Sequence, residues 1–242
     1  RLQMIRPYYE NNGITIYHGD CHEILPHLRA DVIITDPPYN CGKNYGPGTN
    51  DRQEWSEWCK WWDEILDIML TCAPDALAFM SQTAYRKYIR MGQHEPDWTL
   101  IWHKPLSLAC CALPFMPHWE PIAYWGRTRR KDKAFWGGDV LSHNVARKEW
   151  NHPTVKPLPL MLDLVGRFAG TILDPFCGSG TTLRAAKDIG LTATGIEIEE
   201  CYCEVAARRM AQEVIRDIAE PKMAQRNMFV ATAKDMDPFA KD

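Results

Sequence analysis

The chain has 242 residues, 45% hydrophobic and 24% charged, with a net charge of −3; this is the composition of an ordinary globular protein, long enough for one sizeable domain with an inserted segment. No apolar run reaches the ~20 residues that span a bilayer, and no signal-peptide core stands near residue 1. Nine scattered cysteines with no Cys-x-x-Cys argue for reduced thiols in a cytosol-like, cytoplasmic compartment and against a disulfide frame or a zinc site, so no metal is expected.

Residues 1–13 close with Asn11-Asn12-Gly13 and predict a short arm or edge strand. Ile14-Thr15-Ile16-Tyr17 predicts a strand that stops at His18-Gly19-Asp20-Cys21, before a helical turn from Glu23 to Leu28. Asp20 suits the N-cap of that turn. Val32-Ile33-Ile34-Thr35 is a continuous β-favouring run and predicts a parallel strand buried on both faces. It must end at Asp36-Pro37-Pro38-Tyr39, because proline has no N–H for the ladder and restricts the residue before it. An acid, a rigid bend and an aromatic ring then stand at a strand's carboxyl end, where open α/β sheets bind ligands. Asp36 and the Pro37 carbonyl can accept hydrogen bonds, and Tyr39 offers a flat face. The set suits a planar group with an exocyclic NH2, such as adenine or cytosine. Taken alone, the stretch is equally a Pro-Pro turn whose acid caps something.

Residues 40–53 carry Gly42, Gly46 and Gly48 and predict a mobile loop over substrate. Lys43, Asn44 and Tyr45 are its candidate nucleic-acid contacts, or a passive surface. Residues 54–72 predict a helix, with Trp55, Trp58, Cys59, Trp62, Ile65, Leu66 and Met69 in one apolar stripe. Trp61 falls off the stripe and is the candidate for exposure. A strand over Asp75–Met80, a helix over Ala84–Met91 and a strand over Trp98–His103 follow. Trp119–Trp125 predicts an edge strand, since Pro121 cannot donate inside a sheet. The segment after it is basic: Arg127, Arg129, Arg130, Lys131 and Lys133 can hold phosphates even on a mildly acidic protein, or form a solvated loop.

His152-Pro153-Thr154-Val155-Lys156-Pro157 opens a helix that runs to Phe168, with proline in the first turn where its missing N–H is harmless. A strand over Thr171–Phe176 leads into Gly178-Ser179-Gly180. Glycine lets backbone approach a ligand closely, and the N-terminal amides of the next helix, Thr181–Ile189, favour an anion. No Gly-Lys-Ser/Thr is present, which disfavours an ATPase. The strand Thr192–Ile196 ends in Glu197, about 20 residues past the glycines, the offset at which an acid holds ribose hydroxyls in dinucleotide folds. It is also an ordinary helix-start acid for the helix Glu199–Ile218.

Together the tetrapeptide, the His-Pro-Thr-x-Lys-Pro segment and the stretch Asp174–Thr182 resemble the S-adenosylmethionine-dependent amino methyltransferases of DNA. Their order, tetrapeptide first and glycine loop second, resembles the permuted β group, over roughly Ile14 to Ala211. The resemblance implies an α/β fold, a mainly parallel seven-stranded methyltransferase (Rossmann-like) sheet, permuted, in a single domain over 1–242 with 126–151 a short target-recognition segment. It implies S-adenosylmethionine as cofactor. Asp20 and Cys21 would lie near its adenine, Glu197 at its ribose, and Asp36, Thr154 and Lys156 toward its methionine end. Asp174, Phe176, Cys177, Gly178, Ser179, Gly180, Thr181 and Thr182 would form the loop around it. The implied reaction is methyl transfer to the exocyclic amine of a base flipped out of DNA, with Asp36, Pro37, Pro38 and Tyr39 catalytic. Asp at the first tetrapeptide position leans toward adenine N6. Cytosine N4 is the alternative, as is a catalytically idle nucleic-acid-binding module of the same fold. A homodimer is compatible with the exposed aromatics.

Overall fold

The structure, a computed structural model, describes residues 6–46, 51–106, 114, 116–126, 137–146 and 155–213. The chain begins with a hairpin. Strand β1 (Tyr9–Asn11) turns through Asn12 (φ 48°) and Gly13 (φ 77°) into β2 (Ile14–His18), antiparallel to it. This is the short edge strand expected, and Asn-Gly is the pair that tolerates two successive positive φ angles. Asp20 then caps α1 (Cys21–Ile24), its Oδ1 accepting the His22 N–H at 2.9 Å.

The sheet is completed by β3 (Val32–Thr35), β4 (Asp75–Phe79), β5 (Trp98–His103), β6 (Trp119–Gly126), β7 (Val140–Ser142), β8 (Ile172–Asp174) and β9 (Ala193–Glu197). Among the described residues there are nine strands, in the order β1-β2-β9-β8-β3-β4-β6-β5-β7. A seven-stranded sheet was expected, with a short arm or edge strand before it; β1 is that edge strand, and the short β7 is the addition. β7 lies inside the segment expected to read the target and pairs parallel with β5.

The five strands from β2 to β4 are parallel, and β6 is antiparallel to both its neighbours. β6 is thus interior, not an edge. Pro121 is tolerated because it lies opposite the end of β4, where its carbonyl still accepts the Met80 N–H at 3.1 Å. The register between the two strands ends one residue earlier, at Phe79 opposite Ile122, so the proline's missing N–H falls at the end of the ladder.

Helices α2 (Trp55–Cys72) and α3 (Gln82–Met91) cover one face with α1; α4 (Leu158–Val165), α5 (Thr181–Asp188) and α6 (Glu200–Ala211) cover the other. The strand residues divide between the two cores with period two. Val32 and Ile34 join the α4–α6 side and Ile33 the α2 side, which is why the whole run is apolar. The α2 stripe is buried as its spacing predicts, except that Trp55 is only partly so.

Trp62 is 0% exposed and packs on Trp125 and Phe176, and its indole N–H has no partner among the described residues. We expect Trp62→Ala to lose about 3–5 kcal/mol of stability in urea denaturation, as large aromatic deletions do. Trp62→Phe should lose much less, because no hydrogen bond is given up.

Crossovers leave β3 toward β4 and β8 toward β9, in opposite directions, while β3 and β8 pair directly, Val32 with Ile172 and Ile33 with Leu173. The carboxyl ends of these two neighbours form the switch point of the sheet, the crevice where doubly wound folds bind ligands. No described helix is long and apolar enough to cross a membrane.

Candidate active site

A cavity of about 320 Å³ opens at that switch point, within the range of small-molecule sites. Its walls are the ends of β2, β3, β8 and β9, closed by α2 and by the segment before α4. It is lined by Asp20 and Cys21, by Asp174, Phe176, Cys177, Gly178, Ser179, Thr181 and Thr182, by Glu197, and by Asp36, Pro38 and Lys156. Two turns encoded more than a hundred residues apart thus share one cavity.

The floor is shaped by its glycines and its buried polar groups. Gly178 and Gly180 hold φ values of 50° and 78°, and Gly180 caps α5 where a Cβ would meet Ala206 at 3.0 Å. Asp174 is buried and accepts from Thr35 Oγ1 (2.7 Å) and the Phe176 N–H (3.1 Å), which ties β8 to β3. Burial pushes its carboxyl up to about 6. Glu197 Oε2 accepts the Gly178 N–H at 2.8 Å and Oε1 the Glu199 N–H at 2.9 Å, and burial raises it to about 7. Arg209 of α6, itself buried, donates from below to Ser179 O (2.6 Å), Ser179 Oγ (3.1 Å) and Thr181 Oγ1 (3.1 Å). Helical spacing alone did not mark Arg209, since its partners come from another element.

Aromatic rings line the side next to Asp20. Trp61, read from the sequence as the exposed member of its helix, is half-buried and packs edge-on against Phe176 at 5.8 Å, with both rings on the cavity. Asp20, Cys21 and His22 bring ligand atoms within 4.8 Å of one another. Burial, however, pushes the Cys21 thiol up to about 12, and Asp20 is engaged as a helix cap. The trio reads as a cap beside the cavity.

The tetrapeptide is tied to α2: Trp58 Nε1 donates to the Pro38 carbonyl at 3.1 Å. Pro37 is buried and, like Tyr39, is not among the cavity-lining residues. The Tyr39 hydroxyl donates to Asp36 Oδ1. Lys156, which the resemblance places at the cofactor's methionine end, lines the cavity and donates from Nζ to Asp36 Oδ2 at 2.5 Å and to the Tyr39 hydroxyl at 3.0 Å. Its ammonium also lies 5.3 Å from the centre of the Tyr39 ring and 5.0 Å from that of Phe79.

The loop after the tetrapeptide is tied at its base. Asp51 accepts the N–H groups of Asn40 (2.5 Å), Cys41 (3.2 Å) and Lys43 (2.7 Å). Lys43 and Asn44 are exposed, and Tyr45 reaches the cavity wall. Thr154, Arg127, Arg129, Arg130, Lys131 and Lys133 lie outside the described residues.

The donor set fits a nucleoside with a charged tail. An acid stands at the ribose offset, aromatic faces flank it, and a glycine turn leads into a helix N-terminus.

Comparison with known proteins agrees. A family model described as DNA methylase, of the N6/N4 type, matches residues 118–208. The chain is similar to the type II methyltransferase M.ScaI of Streptomyces caespitosus, 25% identical over 269 residues that cover 86% of this chain and 84% of that one. Among solved structures it resembles the M1.HpyAVI–SAM complex, with a TM-score of 0.58 and 23% identity over 82% of this chain and 100% of the other. It also resembles the cytosine-N4-specific PvuII DNA methyltransferase, with a TM-score of 0.69 and 14% identity over 89% and 93%.

Proposed function

We propose that this chain, which belongs to the N6/N4 class of DNA amino methyltransferases and takes S-adenosylmethionine as its cofactor, methylates adenine at N6 after flipping the base out of the duplex. One observation carries the reading: Asp36 and the glycine-loop–Glu197 wall face a single cavity. S-adenosylmethionine supplies the methyl group as an electrophilic sulfonium. Everything else falls to the chain's own residues.

Glu197 accepts from the ribose hydroxyls, and the amides around Gly178–Thr181 meet the tail. The exocyclic amine of adenine is a poor nucleophile because its lone pair is delocalised into the ring. Hydrogen bonds from its N–H groups to Asp36 and to the Pro37 carbonyl draw the nitrogen toward a tetrahedral shape and localise that pair. The amine held in this way would be presented to the methyl group that the cofactor supplies when bound, and the surplus proton of the methylated nitrogen would pass to solvent. Alignment of this kind is worth up to roughly 7–11 kcal/mol in favourable cases. Flipping the base opposes it by a few kcal/mol. Lys43, Asn44 and Tyr45, together with the basic run Arg127–Lys133, are the proposed DNA contacts.

The test is to digest DNA from cells expressing the chain and measure modified nucleosides by mass spectrometry. N6-methyladenine is expected. N4-methylcytosine in its place would overturn the choice of base, and neither product would overturn the activity.

A further inference from the structure

We infer that Lys156 is a positioning residue for the proposed reaction: paired with Asp36, it keeps that carboxylate an acceptor for the target amine, and it does not serve the cofactor's carboxylate. The inference rests on the methyl-transfer reading above.

The geometry is specific. Lys156 is 9% exposed, and its Nζ lies 2.5 Å from Asp36 Oδ2 and 3.0 Å from the Tyr39 hydroxyl. The rings of Tyr39, Phe79 and Trp102 stand 5.3, 5.0 and 5.8 Å from it, an arrangement that holds an ammonium over aromatic faces. A carboxylate offers about four lone-pair positions. With Lys156 on one oxygen and Tyr39 on the other, an ionised Asp36 still has a lone pair for an N–H of the incoming amine on either oxygen. Protonation turns one of those oxygens into a donor and weakens the carboxyl as an acceptor.

The surroundings oppose ionisation. Burial is the largest influence on Asp36 and raises it, and Glu120 of β6 adds to the rise; Lys156 and the Tyr39 hydroxyl pull it down. Every element packed around the carboxylate contributes charge. Lys104, after β5, binds Glu120 Oε1 at 2.8 Å, while Glu120 Oε2 is buried with no partner among the described residues. Asp174, at the end of β8, also feels Asp36. Lys156 is the one cation bonded to Asp36 among the described residues, so removing it leaves the Tyr39 hydroxyl to offset burial and Glu120.

The experiment measures kcat/KM against pH for methyl transfer to unmethylated genomic DNA, with cofactor affinity by calorimetry at pH 8. In Lys156→Met the acidic limb should move up by about 1–3 pH units, the range for losing an opposite charge at contact distance, while cofactor affinity stays within about twofold of wild type, far below a full hydrogen-bond loss. Lys156→Arg should hold the limb near wild type. Glu120→Gln, which removes a neighbouring negative charge, should move it down. Carbon-13 NMR of the Asp36 carboxyl in the free protein should show the same order of titration without any turnover. An unmoved limb, an unmoved NMR titration, or a tenfold or greater loss of cofactor affinity in Lys156→Met would overturn the inference. If the wild type methylates no DNA, the function fails, and the NMR titration still decides the role of Lys156.

Discussion

Asp36→Ala should lower methyl transfer by roughly 10²–10⁴-fold, the range for removing a group that acts in the transition state. Cofactor affinity should stay within about threefold, because on the proposed reading Asp36 accepts from the target amine and Glu197 from the cofactor; such a change is well under one charged hydrogen bond. Two effects combine. The amine loses the acceptor that localises its lone pair, and Lys156 is left as a buried cation whose other polar partner is the Tyr39 hydroxyl. The second effect strains the fold as well as the reaction, so Asp36→Asn is the informative companion. It keeps the size and one carbonyl acceptor but cannot neutralise Lys156. We expect it to fold, to bind cofactor and to remain at least about tenfold impaired, a loss of 1.4 kcal/mol or more of transition-state stabilisation. Single-turnover transfer of labelled methyl, read beside calorimetric cofactor binding, separates the two effects. Full activity in Asp36→Ala would remove Asp36 from the mechanism.

The sites were legible where the chemistry is local. A strand that must stop at Pro37 and Pro38 and a strand that must turn at Gly178 and Gly180 announce themselves from residue type alone, and both end where expected, beside each other. The charged contacts around them were not legible. Lys156 meets Asp36 across 120 residues of chain, and nothing in the spacing of either segment says which carboxylate a helix-start lysine will find. Arg209 is the same case, an arginine on the last described helix that turns inward to clamp Ser179. Trp61 was misplaced for a different reason. Helical periodicity identifies the stripe that faces the sheet, but the end of β8 carries Phe176 past the sheet edge and covers the next position round the helix. Pro121 shows the limit of a sound rule. Proline is excluded from the middle of a ladder, yet an interior strand that outruns its neighbour can carry one just past that neighbour's last paired residue.

Cofactor binding should follow the titration of Glu197. Burial raises this carboxyl from 4.5 to about 7, against the pull of the two backbone amides that donate to it. Ribose hydroxyls donate to the ionised form, so the cofactor favours the state that burial disfavours. Affinity should therefore be greatest above pH 7 and fall below it, by up to about tenfold per pH unit. Calorimetry at pH 6.5 in buffers of different ionisation enthalpy should detect a proton released on binding.

The stability of the free protein should move the other way. The folded carboxyl holds its proton more tightly than the unfolded one, so its contribution is full below about 4.5 and is lost as the pH rises through about 7, at most about 3 kcal/mol. Asp174, raised to about 6 by burial, adds in the same direction. Glu197→Gln is neutral at every pH and should flatten both profiles. It should also weaken cofactor binding at pH 8 by roughly 10–100-fold, the worth of one charge-assisted hydrogen-bonding group. A wild-type affinity that does not change between pH 6 and 8, or a Gln variant that keeps the wild-type slope, would take Glu197 out of the ribose role.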